Sequence, residues 1–154
     1  MKFDDRCKTN LLKAQEEART LQHQKVEPEH ILWVELLAND ARLSDFLDSK
    51  KISRAHVQGL LKKRMEQLPR TSSSETREAS ARLKMCFERA KGGSEALGWR
   101  ELVLAVLEIE NDPLTEVIWE CAITPYEFRD YAAGEKQLAT VTHGESETDD
   151  VLAK

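Results

Sequence analysis

Glu29-His30-Ile31-Leu32-Trp33-Val34-Glu35-Leu36-Leu37 is a nearly unbroken apolar run with an acid in its first turn, and the chain contains it twice. At an offset of 71 positions, His30 to Leu36 fall on Glu101-Leu102-Val103-Leu104-Ala105-Val106-Leu107. The same offset carries Leu43 onto Leu114, Phe46 onto Val117, Leu47 onto Ile118, Ile52 onto Ile123, Ser53 onto Thr124 and Val57 onto Phe128. A match of this length with one apolar pattern means two copies of one helical unit. Two units packed face to face leave a groove between them, which suits a binding device better than a reaction vessel.

Working outward, Asp4 is a good N-cap with Phe3 before it as a staple. Cys7, Leu11, Ala14, Ala18 and Leu21 then follow at helical spacing. Pro28 suits the first turn of the apolar run, where Glu29 and, with a single-residue slip in register, Glu101 complement the helix dipole. A short third helix carries Leu43, Phe46 and Leu47. Ser53 caps a fourth with Val57, Leu60, Leu61, Met65 and Leu68, which Pro69 ends. In the second copy Thr76 is the expected cap, and Ala79, Leu83, Cys86, Phe87 and Ala90 echo the first helix before Gly92-Gly93 stop it. Trp99 to Ile109, Pro113 to Trp119, and a last helix opened by Thr124-Pro125 complete the set. The fold expected is all-α, two pseudo-symmetric four-helix repeats in one compact domain. Residues 1–69 form the first repeat, 70–75 a polar linker, 76–133 the second repeat, and 134–154 an acidic, disordered tail or linker.

The totals exclude several functions. Of the net charge of −5, the stretch from Gly134 onward carries −3. The remainder is close to neutral and lacks the basic face that nucleic acid requires. No apolar run reaches the roughly 20 residues of a membrane span, and the N-terminus lacks a secretory signal core. Cys7, Cys86 and Cys121 are an odd, widely spaced set, read as reduced core residues of a cytoplasmic protein. There is no G-x-x-x-x-G-K-[ST] phosphate loop, and no cofactor is expected. His23 and His30 have no second ligand pair at zinc spacing, so no metal is expected. Cys7 lies on the apolar stripe with nothing to activate it, so no catalytic residue is assigned. The basic runs Lys50-Lys51 and Lys62-Lys63-Arg64 read as a solvated face, the alternative being an adaptor contact through charge complementarity.

Phe3-Asp4, Cys7, Leu11, Ala14-Gln15-Glu16-Glu17-Ala18, Leu21, His23, Val26 and Pro28-Glu29-His30-Ile31-Leu32 resemble the N-terminal repeat of Clp ATPases. Thr76, Ala79, Leu83, Ala90 and Glu101-Leu102 resemble the second repeat more weakly, so the likeness spans roughly residues 3 to 132. It implies an all-helical module ahead of AAA+ ATPase rings that binds adaptors, unfolded clients or degradation tags. The partners implied are therefore protein or peptide clients, Clp adaptors, and a Clp ATPase or peptidase ring, with a monomer in isolation. Two variants stay open: a free-standing regulator docking on a Clp ring, and the N-domain of a secretion-sheath disassembling ATPase.

The resemblance also nominates site residues. In some bacterial relatives the acids at the positions of Glu29 and Glu101 receive phosphorylated arginine, with the cap positions of Asp4 and Thr76 nearby. A carboxylate matches a guanidinium in bidentate fashion and a helix start attracts a phosphate. Relatives usually carry Thr at the first cap, and Asp4 would instead repel a phosphate. The alternative is that Glu29 and Glu101 only complement helix dipoles. Among Trp33, Trp99 and Trp119, Trp99 at a helix start beside Gly98 is the expected partner anchor, the alternative being a core side chain.

Overall fold

A computed structural model describes residues 2–38, 42–92 and 95–131. Seven helices run α1 (Asp5–Thr20), α2 (Pro28–Leu37), α3 (Arg42–Ser49), α4 (Arg54–Met65), α5 (Ala81–Lys91), α6 (Trp99–Leu107) and α7 (Pro113–Glu120). They belong to a compact unit that ends at Ile123. A second unit begins at Thr124, and its residues 125–131 are helical. Among the described residues there are eight helices and no strand, so the chain is all-α. The tail from residue 134 lies outside the described residues, as does Gly93.

Local chemistry sets most boundaries. The Asp4 carboxylate accepts the Cys7 amide at 2.8 Å and starts α1. Ser53 does the same for α4 through the His56 amide, and Asp112 caps α7 through the Leu114 amide. Pro28 and Pro113 occupy the first turns of α2 and α7, where a missing N–H costs nothing. Gly92 takes φ +52° at the end of α5, a conformation a side chain would resist.

The second repeat departs from expectation at its start. Thr76 caps nothing and lies exposed in an extended lead-in, while Ser80 caps α5 through the Leu83 amide at 3.1 Å. The reason is non-local. Val26 pairs in parallel with Ala79, donating its amide to the Glu78 carbonyl and accepting the Ser80 amide. A backbone held this way cannot coil. The first repeat shows the mirror arrangement: Phe3 pairs with Leu97, through the Leu97 amide on the Lys2 carbonyl and the Asp4 amide on the Leu97 carbonyl. Each opening helix is thus laced to the lead-in of the other repeat's buried helix.

Arg77 reinforces the lacing. It is buried, and its guanidinium donates to the carbonyls of His23, Glu75 and Ser73. Gln24 and Thr71 tie the same crossing through the Pro69 and Gln22 carbonyls.

The core gathers around α2 and α6, which pack on each other and on the opening helices. Ile31, Leu36, Leu102, Val103 and Val106 are almost wholly buried, each contributing about 1.5–3 kcal/mol. Trp33 is half-buried and its indole N–H reaches Glu17.

Candidate protein-binding site

Between α1 and α5, the equivalent helices of the two repeats, lies an open groove of about 450 Å³. Phe3, Leu11 and Leu12 line one side, with Val26, Leu83 and Phe87 on the other; Lys8 and Gln15 give its rim polar groups. Phe3 and Phe87 meet edge to face, ring centres 5.4 Å apart. The floor residues Val26 and Leu83 are buried, but Leu12 is 66% exposed. A leucine in that position has apolar surface to give to a ligand.

Two of the nominated acids stand beside this groove. Asp4 follows Phe3 directly, and its carboxylate lies with that of Glu101 over Gly98. Both acids are exposed. A Cβ on Gly98 would fall 2.2 Å from the Glu101 carboxylate and would push that exposed, flexible side chain aside. Arg100 approaches Glu101 at 3.5 Å across the surface. The structure thus brings Asp4 and Glu101 together, and leaves Thr76 elsewhere.

Glu29 is corrected. It is fully buried and already holds two guanidinium groups of this chain. Arg64 donates to it at 3.0 Å, and Arg82 grips both its oxygens at 3.1 and 2.9 Å. Arg82 also takes both oxygens of Asp112, at 2.9 and 2.6 Å, and one of Glu27 at 3.0 Å. All five of its N–H donors are then used. Burial opposes the Arg82 charge, but the bonds from Asp112 and Glu29 outweigh it and raise its pKa. Burial would also raise Asp112, yet the Arg82 bond holds its carboxyl below the ordinary value. The guanidinium that Glu29 was expected to take from a ligand is supplied internally, from 53 residues along the chain.

Trp99 is corrected too. It is 3% exposed, and its indole N–H donates to the buried Glu35 at 2.8 Å. Glu35 also accepts the Leu43 amide, so Trp99 pins α6 to the first repeat and is closed to partners. The exposed tryptophan is Trp119, at 73%. Its position was readable: Leu114 and Ile118 make the buried stripe of α7, continued by Cys121 at its C-cap, and Trp119 falls off it.

His23 and His30 form a buried pair, Nδ1 to Nε2 at 2.7 Å. The Glu27 amide donates to His30 Nδ1, so the His30 proton is on Nε2 and points to His23. Burial, then the neighbouring His23, pushes His30 down to about 3. Both rings are neutral hydrogen-bonded struts, and among the described residues no cluster of three or more potential ligands could hold a metal. Burial drives the thiols of Cys7, Cys86 and Cys121 up, Cys7 to about 12, which leaves them poor nucleophiles. No helix among the described residues is long and apolar enough to cross a membrane.

Comparisons with known proteins agree with this geometry. The N-terminal domain of Hsp104 from Candida albicans superposes with a TM-score of 0.70 at 14% identity, over 86% of this chain and 89% of that one. A chain described as part of a malarial protein secretion system gives 0.68 at 18% identity, over 92% and 98%. At such identities these matches speak for the fold. No curated protein sequence matches. The profile of the Clp repeat (R) N-terminal domain, a non-catalytic module, matches residues 2–121. With the profile running through both laced halves and the groove between them, the chain belongs to the Clp repeat N-terminal domain family.

Proposed function

We propose that this chain is a protein-binding module that captures flexible or unfolded segments, or adaptors, for a Clp-type AAA+ unfoldase. The observation that carries the reading is the apolar groove between α1 and α5, with Leu12 exposed on its rim. An extended segment would place two or three apolar side chains there, gaining about 25 cal/mol per Å² buried. Asp4 and Glu101, beside Phe3, would favour a basic or polar group at that end of the ligand. The module performs no chemistry in this reading. Capture is reversible, which suits a site that must release its ligand to a ring.

The test is fluorescence anisotropy with a labelled, extended, leucine-rich peptide. Leu12→Gln is a surface change in a good helix former and leaves stability within about 0.5 kcal/mol. It is expected to weaken binding about tenfold, the loss of one leucine contact. Equal affinity in the variant and the parent would place the ligand elsewhere.

A further inference from the structure

The exposed indole of Trp119 sits in an unusual electrostatic setting. From Glu101 to Phe128 the sequence has seven acids and not one Lys, Arg or His. Glu110, Glu116 and Trp119 line one open depression with Asn111 and Pro113, and Glu120 is next in sequence. Glu110, Glu116 and Glu120 are exposed and form no ion pair with any described residue. Asp112 at the same rim is neutralised by Arg82. Arg82 and Arg89 line the adjoining hollow, Arg89 donating to the Glu108 carbonyl, and α4, which packs on α7, carries Lys62, Lys63 and Arg64 in its last turn.

A large aromatic left 73% exposed serves no packing purpose. Its face is electron-rich, and the acids around it raise the local preference for a cation. From this we infer that the α7 face is a second docking surface, and that its occupant is a basic peptide segment. One Lys or Arg would lie over the Trp119 ring while a neighbouring basic residue meets Glu116 or Glu120. This differs in kind from the groove, which is apolar and takes extended aliphatic side chains. A ligand could engage both, or the two faces could serve different partners; the chemistry at α7 selects positive charge in either case.

The experiment uses the full chain and a labelled ten-residue peptide of alternating Arg and Gly, followed by anisotropy at low and at near-physiological salt. Binding is expected, weaker as salt rises. Trp119→Ala, an exposed position, should lower affinity about tenfold, and Glu116→Gln with Glu120→Gln should lower it and flatten the salt dependence. Circular dichroism melts of these surface variants should match the parent. Leu12→Gln should leave this peptide's affinity unchanged, so failure of the groove and failure of this surface are separable. Equal binding by Trp119→Ala and the parent overturns the proposal. So does a concentration-dependent dimer that Trp119→Ala abolishes, because the occupant is then a second copy.

Discussion

Arg82→Met is expected to destabilise the chain by about 3 kcal/mol, and to lower its melting temperature by on the order of 10 °C. The cost follows from what is left behind. Glu29 has no exposure, and removing Arg82 leaves it with Arg64 alone while Asp112 and Glu27 lose their partner. Breaking a buried pair from one side strands charge that water cannot reach. Arg82 also joins α5 to the starts of α2 and α7, so the loss is felt across three elements at once. A stability of about 5–15 kcal/mol is typical of a domain, so this change takes a large share. Arg19→Ala is the control: its pair with Glu16 is exposed on both sides, and its loss should stay within about 0.5 kcal/mol. Urea unfolding of both variants checks the contrast. Equal, small effects would show that the Arg82 cluster is ornamental to the fold.

Acid should unfold the chain earlier than carboxylates alone would require. His30 is held neutral, its folded pKa about 3, while in the unfolded chain it titrates near the ordinary 6.5. His23 is lowered as well, by burial and then by the Arg70 charge. A depressed pKa means that the unfolded state binds more protons between the two values. The stability contribution is therefore present above about pH 6.5 and falls as pH drops from there towards 3. His30 costs up to about 1.4 kcal/mol per pH unit in that window, and His23, lowered as well, adds to the loss. By pH 4.5, His30 alone accounts for roughly 3 kcal/mol. Asp112 adds a later loss as the pH falls below its ordinary carboxylate range. Denaturant midpoints measured from pH 8 to 4 should decline from about 6.5 downward. A flat profile to pH 5 would mean that the pair accepts a proton without opening.

Much of this architecture is written in local spacing. Pro28 and Pro113, Asp4 and Ser53, and the stripes through Ile31 and Leu102 each specify their helices within a few residues. The 71-residue repeat fixes the order, and α2 with α6 and α3 with α7 start at that offset. What local spacing hid is non-local. Thr76 is as good a cap as Ser80 until Val26 is seen holding residues 78–80 extended. Glu29 reads as an available acid until Arg64 and Arg82, 35 and 53 residues away, close on it. Trp99 is one more apolar residue at a helix start, and only its bond to Glu35 from the other repeat shows that it is sealed. Asp4 and Glu101 illustrate the opposite case. The resemblance placed the cap Asp4 near these acids, and the backbone pairing of Phe3 with Leu97 sets Asp4 beside Glu101.

The lacing has a functional consequence. Because each opening helix is tied to the opposite repeat, the two walls of the groove are fixed relative to each other before any ligand arrives. A preformed apolar surface spends less on ordering itself when a segment binds. The polar bonds that hold it, through Arg77, Gln24 and Thr71, lie at the crossing and not in the groove. In the proposed reading, ligand specificity can therefore vary through Leu12 and Lys8 without disturbing the frame, whereas Gln15 donates to the Arg77 carbonyl and belongs to it.

The most direct measurement is a nitrogen-15 NMR titration of the full chain with an extended, uncharged, leucine-rich peptide. Binding in the groove predicts saturable shifts concentrated at Phe3, Leu11, Leu12, Leu83 and Phe87, with the amides of α3 and the Trp119 indole unmoved. No shifts at millimolar peptide, or shifts that leave α1 and α5 untouched, would contradict the claim that the seam between the two repeats receives a polypeptide.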